Sequence, residues 1–250
     1  MRAAFRHVVL RKYEVEYSQC TSCGLVQTQE PHWLDEAYAS PIASADTGIL
    51  QRNLYLSRVA SLVLWRLFGG RGKYLDAAGG YGLFTRLMRD AGFDYYWCDP
   101  HTPNLVARGF EGGRGGGPYQ AVSAFEVLEH VVDPLEFLSS LMRDMDTRTL
   151  IVSTETFAGD APAPDRWWYY TFDTGQHISF YRRSTLEAIG RKLGLRLYSC
   201  RNVHLWTNER LSTSGFRLMT HPAFSAVASL APRAMLESKV WSDHRQSLSH

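Results

Sequence analysis

Apolar and polar positions alternate between two periods along this chain. From about residue 46 to 69, Leu50, Leu54, Val59, Leu62, Leu64 and Leu67 punctuate a mostly apolar segment that reads as a helix, ended by Gly69 and Gly70. Residues 73–77 read as a short buried strand, 78–82 as a loop of small residues, and 83–91 as a helix stopped by Gly92. Residues 95–99 read as a second strand, cut off by Pro100. Strand, glycine loop, helix and strand within 27 residues form a βαβ unit, and hence a parallel sheet with a right-handed crossover.

Further strands are expected at 121–125 and 150–153, with a helix from Pro134 to about Met145 between them. The run from Gly112 to Gly117 is too permissive for an element interior and reads as a surface loop; no lysine follows it, as a phosphate-binding loop would require. A polar and aromatic insertion spans 154–181, followed by a helix over 184–193 and two strands, 195–199 and 203–206, paired through a tight turn at Arg201 and Asn202. The pattern divides the chain into an irregular lead over 1–45, broken by Pro31 and Pro41, a main domain over 46–207, and a helical extension over 208–250 interrupted by Pro222 and Pro232.

Composition narrows the class. With 250 residues, 45% apolar and 21% charged, the chain can bury a substantial core and is not disordered. A net charge of +2 gives no global pull toward nucleic acid or an anionic membrane, although it leaves local basic patches open. No apolar run approaches the roughly 20 residues of a membrane span, and the first residues lack the apolar core of a signal peptide. Four cysteines do not make a secreted disulfide framework, so the cytoplasm is the expected compartment.

The loop Asp76-Ala-Ala-Gly-Gly-Tyr-Gly82 lets a ligand approach the main chain, and Asp99, 23 residues after Asp76, puts a carboxylate at the end of the next strand, where it can accept from both hydroxyls of a ribose. A nucleoside-containing ligand is therefore expected. A dinucleotide is disfavoured, because Thr85 stands where that fingerprint requires Gly or Ala.

At these residues the sequence resembles the class I methyltransferases that use S-adenosylmethionine (SAM). Asp76, Ala78, Gly80 and Gly82 fill their first motif, with Ala in place of the first Gly. The resemblance runs from about 73 to 205, and its most specific piece is Phe125-Glu-Val-Leu-Glu-His-Val-Val-Asp-Pro134. It implies a Rossmann-like α/β fold with a mostly parallel seven-stranded sheet, flanking helices and an antiparallel last strand. Asp76 and the loop of Ala78, Gly79, Gly80 and Gly82 would hold the methionine end of SAM, Asp99 its ribose, and Phe125 would lie near the adenosine or the path of the methyl group. Two of the family's acids have no match: one near the adenine, expected between Arg108 and Tyr119, and one opening the fourth strand, where Gln120 and Ala121 stand.

If the strand at 121–125 turned directly into a helix, Glu126, Glu129 and His130 would share one face, and with His177 they would offer a divalent ion a mixed nitrogen and oxygen site. The segment is similar to one in the small-RNA 3′-terminal 2′-O-methyltransferases and the ubiquinone-pathway O-methyltransferases. Alternatively the two glutamates favour the dipole at the helix start and His130 lines the pocket without metal. His177 is the candidate general base, with His130 and Glu126 beside it, because imidazole titrates near neutrality. Trp167, Trp168, Tyr169, Tyr170 and Phe172 either wall an acceptor pocket or form the insertion's own core, and Tyr38 is placed to close over the site. Cys20-Thr-Ser-Cys23-Gly resembles one knuckle of a zinc ribbon, but residues 1–19 offer no second cysteine pair.

The expected activity is transfer of the SAM methyl group to a small molecule or sugar, on oxygen before carbon or nitrogen. An RNA-terminal 2′-O-methyltransferase, which would need a basic extended groove, and a non-catalytic SAM-binding subunit are the alternatives. A nicotinamide-dependent oxidoreductase is disfavoured by Thr85 and by the Glu-His segment. No membrane partner is expected, and oligomeric state is not legible.

Overall fold

The structure, a computed structural model, describes residues 1–39 and 46–248. Pro41, one of the expected breakers, lies outside the described residues. The N-terminal part is not irregular. It forms strands β1 (Arg2–Val9), β2 (Tyr13–Gln19) and β3 (Val26–Thr28) and a short helix α1 (Leu34–Ala37). In β2, Val15, Tyr17 and Gln19 are buried while Glu14, Glu16 and Ser18 are not, the period-two alternation of a half-buried strand.

The main domain follows the expected order. Helix α2 (Ile49–Phe68) precedes β4 (Lys73–Ala77), α3 (Leu83–Asp90), β5 (Asp94–Cys98), β6 (Ala121–Phe125), α4 (Pro134–Asp144) and β7 (Thr149–Ser153). The insertion contributes β8 (Thr156–Phe157) and β9 (Ser179–Arg182). It is followed by α5 (Arg183–Leu193), the hairpin of β10 (Arg196–Cys200) and β11 (Val203–Thr207), and α6 (Thr213–Met219), α7 (Pro222–Ala228), α8 (Leu230–Met235) and α9 (Val240–Ser247).

Six strands, not seven, make the central sheet among the described residues, in the order β10-β11-β7-β6-β4-β5. The four strands from β7 to β5 are parallel, and β11 runs antiparallel to both β7 and β10, as the last strand was expected to. On the far side of β5, where a seventh strand would pair, the chain adds a single bridge from Glu111 to Trp97. The glycines at 112, 113 and 115–117 and Pro118 follow at once, and such a run cannot extend a ladder. Leu75, Val122, Leu150 and Val152 fill one face of the sheet, and Tyr74, Tyr95, Ile151 and Leu205 the other.

A second sheet, β1-β2-β3-β9-β8, joins the lead to the insertion. Their shared core includes Val15, Tyr17, Trp33, Phe157, Tyr170 and Phe180, and the Trp33 indole donates to the Gly175 carbonyl at 2.8 Å. The two sequence-distant segments are therefore one layer, lying over the carboxyl ends of β6 and β7 through Ile178 N–H to Glu129 O at 2.7 Å.

No helix runs directly out of β6. Glu126 has φ +53°, residues Leu128–His130 form one 3₁₀ turn, and α4 starts only at Pro134, where the Asp133 carboxylate accepts from the N–H groups of Leu135 and Glu136. Asp133 is extended, as the residue before a proline must be. At the other end of the chain, buried Asp243 on α9 pairs with Arg89 at 2.7 Å and with Arg86 at 2.8 Å, fastening the extension to α3. No helix among the described residues is long and apolar enough to cross a membrane.

Candidate active site

The carboxyl ends of β4 and β6, helix α2 and the overlying layer enclose a cavity of about 440 Å³. Its floor is the loop after β4. Ala78 adopts φ +58°, the left-handed conformation that the missing glycine would take freely and that costs an alanine about 1 kcal/mol. Gly79 has no room for a side chain: a Cβ there would lie 2.7 Å from the Trp97 ring and 2.8 Å from the Asp76 carboxylate. Asp76 is fully buried and accepts from Ser123 Oγ at 2.8 Å and Thr85 Oγ1 at 3.3 Å; burial without a cation raises its pKa to about 7.

Asp76, Ala78, Gly79, Gly80 and Phe125 line the cavity, whereas Gly82 and Asp99 do not. Gly82 caps α3. Asp99 stands behind the loop, its Oδ2 accepting from Gly80 N–H at 2.9 Å and its Oδ1 from the N–H groups of His101 and Thr102 at 2.8 and 2.9 Å.

Opposite the loop, Glu126, Glu129, His130 and His177 all line the same cavity. Ligand atoms of Glu129, His130 and His177 lie within 4.8 Å of one another, and Glu126 is outside that group. Its carboxylate accepts from Ser153 Oγ at 2.5 Å and faces Arg52 at 4.0 Å. Without the expected helix Glu126, Glu129 and His130 do not share a face by spacing; the 3₁₀ turn and the Gln176–His177 backbone bring Glu129, His130 and His177 together. The Glu129 Oε1 accepts from the Tyr169 hydroxyl at 2.6 Å, while its buried Oε2 makes no hydrogen bond among the described residues. Burial raises both glutamates to about 7, the Glu129 charge adding to the effect on Glu126.

Both imidazoles are held by Nδ1. That of His177 lies 2.7 Å from the Tyr169 carbonyl, and that of His130 lies 3.1 Å from the Gln176 carbonyl and 2.9 Å from the Tyr38 hydroxyl. A carbonyl only accepts, so Nδ1 of His177 carries the hydrogen and its Nε2 keeps the lone pair; at His130 the nearer Tyr38 hydroxyl can donate to Nδ1 or accept from it. Burial keeps both rings neutral, lowering His177 and taking His130 down to about 3. Neutral imidazoles can bind a metal ion, and the bare Nε2 of His177 can accept a proton, whereas His130, lowered to about 3, is a poor base.

The aromatic run divides. Trp168 and Tyr169 face the cavity, while Trp167, Tyr170 and Phe172 pack in the core of the second sheet. Cys20 and Cys23 are free thiols in a tight turn, fastened to α5 by the hydroxyls of Ser184 and Thr185 on the Cys23 carbonyl; no further ligand joins them among the described residues.

Sequence reasoning passed over Arg52, which pairs with Asp46 at 2.6 Å and is the only lysine or arginine among the described lining residues. The signal was present: Ile49, Arg52, Asn53 and Leu56 sit at i, i+3, i+4 and i+7, and this one face of α2 borders the cavity.

A family model described as a methyltransferase domain matches residues 50–199. No curated protein matches the chain in sequence. Similar solved structures include TnmH, with 18% identity over 71% of this chain and 60% of that one, at a TM-score of 0.49. Magnesium protoporphyrin IX methyltransferase (ChlM) from Synechocystis PCC 6803 with bound SAH has 15% identity over 69% and 90%, at 0.43. Mitomycin 7-O-methyltransferase MmcR has 15% identity over 70% and 59%, also at 0.43.

Proposed function

The chain belongs to the methyltransferase domain family, and from that premise we propose that it is a SAM-dependent enzyme that methylates an oxygen of a small molecule or sugar. The observation that carries the oxygen assignment is the neutral, Nδ1-anchored His177, with its free Nε2 in the same cavity as the glycine loop. A hydroxyl acceptor must lose a proton as the methyl group arrives, and Nε2 is the atom that can take it.

The loop fits SAM. Its floor is bare main chain at Gly79, and the buried Asp76 lacks a cation that an ammonium group would supply. Asp76, Ala78, Gly79 and Gly80 would hold the methionine end, Arg52 would reach its carboxylate by exchanging Asp46, and Asp99 would reach the ribose by exchanging one of its backbone donors. When bound, SAM supplies an electrophilic methyl group on a sulfonium. Phe125, Trp168 and Tyr169 give the cavity aromatic walls, and the acceptor's orientation matters most for an in-line displacement. His130 and Glu126 would orient the acceptor beside His177.

Among the described lining residues, four carboxyl groups (Asp46, Asp76, Glu126 and Glu129) face Arg52 alone. With Arg52 paired to Asp46, the described lining offers no free cation to a phosphate backbone, which argues against RNA as the acceptor. A second reading adds a divalent ion held by Glu129, His130 and His177. The unpartnered buried Oε2 of Glu129 and two neutral imidazoles are a suitable donor set, and an ion there would lower the pKa of an acceptor hydroxyl.

Incubation with SAM and pools of phenolic, sugar and other hydroxylated compounds, with release of S-adenosylhomocysteine as the readout, tests the proposal. Turnover with a hydroxyl acceptor is expected. SAM binding without turnover on any pool would support a non-catalytic subunit instead.

A further inference from the structure

The C-terminal extension is amphipathic the wrong way round for a surface helix. Ser229 closes α7 and opens α8 with a helical backbone, so the two run on from Pro222 to Met235. Toward the protein this segment buries Ser225, Ser229 and Pro232. Toward solvent it shows Phe224, Val227 (71% exposed), Leu230 (61%) and Met235 (70%), with exposed alanines between them. A helix that only met water would carry its polar residues outward and its apolar ones inward.

The serines do not face inward by default of a better place. Ser225 Oγ is satisfied by the Pro222 carbonyl at 3.0 Å, so the inner face is stable as it is, and it is the outer face that lacks a counterpart. Charge identifies that counterpart. From Arg210 to Leu236 there is no aspartate or glutamate, while Arg210, Arg217 and Arg233 lie in the stretch. Arg217 and Arg233 are exposed, as is Leu218 beside the first of them. Protein surfaces in water mix both signs of charge. An acid-free stretch with flanking arginines and a bare apolar strip complements an anionic layer with an apolar interior.

We propose that α6–α8 form a peripheral membrane-binding surface that recognises anionic phospholipid bilayers. The apolar side chains of α7 and α8 enter the boundary between headgroups and acyl chains, and Arg217 and Arg233 stay at headgroup level on their flexible stems. This surface lies on the helix as an interfacial face and needs no spanning segment.

The test is co-sedimentation of the full chain with vesicles of phosphatidylcholine alone and of phosphatidylcholine with phosphatidylglycerol. The expected result is binding to the anionic vesicles, weaker binding to the neutral ones, and loss of the difference at high salt. Val227→Asp combined with Leu230→Asp should weaken binding at least about tenfold, since two apolar anchors are lost and two charges are placed against the lipid. Arg217→Gln with Arg233→Gln, which leaves every apolar contact in place, should cost roughly thirtyfold on anionic vesicles and little on neutral ones. The arginine pair decides the matter if the aspartate variants fold poorly, and SAM affinity should be unchanged in all of them. Absence of binding to either vesicle would overturn the proposal, as would equal binding to both. So would a dimer in sedimentation velocity that Val227→Asp splits in the absence of vesicle binding, which would make a second copy of the chain the cover of this face.

Discussion

His177 donates its Nδ1 hydrogen to the carbonyl oxygen of Tyr169, 2.7 Å away, and the tautomer of the ring is thereby fixed by backbone. The bond leaves Nε2 bare inside the cavity that holds the glycine loop. If Nε2 is the base, His177→Ala should lower the single-turnover rate of methyl transfer by about 10²–10⁴-fold with SAM affinity unchanged. Calorimetry with SAM beside rapid-quench kinetics separates the two effects. A parallel loss of SAM affinity would put the ring beside the cofactor instead of the acceptor.

Asp99 has a structural duty that its sequence position does not reveal. Three backbone N–H groups already bond to it, including that of Gly80 in the cofactor loop. Asp99→Ala should speed amide exchange at Gly80, His101 and Thr102 before any ligand is added, and, if Asp99 also reaches the ribose, should weaken SAM binding by about 1.5–3 kcal/mol, the range for a hydrogen bond to a charged group. Unchanged SAM affinity with faster exchange would show the residue to be a loop clamp only.

The parts of this molecule that repeat with a clear period were legible in the sequence. The βαβ unit around Asp76 and Asp99, the strands at 121–125 and 150–153 and the final hairpin all appear where hydrophobic runs and glycine stops put them. The strands of the lead are hidden in the sequence because Cys20, Pro31 and Pro41 interrupt its longer pattern, although Tyr13–Gln19 alternates. Its pairing with the insertion joins Val26 to Phe180 across the chain, and no local pattern encodes a contact of that separation. The grouping of Glu129, His130 and His177 was anticipated, but for a helical reason that fails: Glu126 has positive φ and Pro134 delays the helix. The orphaned oxygen of Glu129 depends on three-dimensional neighbours alone, whereas Arg52 could have been read from the helical spacing of Ile49, Arg52, Asn53 and Leu56.

If a divalent ion completes the cluster of Glu129, His130 and His177, dialysis against a chelator should abolish turnover, and Mg²⁺, Mn²⁺ or Co²⁺ should restore it. Glu129→Gln should then fold normally, because a neutral amide suits a fully buried position whose carboxyl is already pushed to about 7, yet should no longer respond to added metal. Co²⁺ titration followed by visible absorption reports the ion directly. Turnover indifferent to the chelator, with no cobalt spectrum, leaves His177 acting without metal.

The buried carboxyl of Asp76 should set a pH dependence of its own. Burial raises its pKa in the folded chain to about 7, against 3.8 for an ordinary aspartate. Between those values the folded chain keeps a proton that the unfolded chain has released, so stability falls as pH rises from about 4 and the loss is complete above about 7. Buried histidines oppose this trend, since the lowered values of His130 (about 3) and His204 (about 4) remove stability as pH falls below the ordinary 6.5. The variant Asp76→Asn isolates the term: it removes the titrating group while keeping an oxygen that can accept from Ser123 or Thr85. The difference in melting temperature between wild type and variant should shift against the wild type from about pH 4 to about pH 8, by an amount equivalent to a few kcal/mol at most. A SAM ammonium bound near Asp76 would favour the carboxylate, so cofactor binding near pH 7 should release a proton, measurable by calorimetry in buffers of different ionisation enthalpy. A flat melting difference would mean that the hydrogen bonds from Ser123 and Thr85 outweigh burial and hold Asp76 ionised throughout. In that case the site would offer SAM a formed negative charge at all working pH values, and no proton would be released.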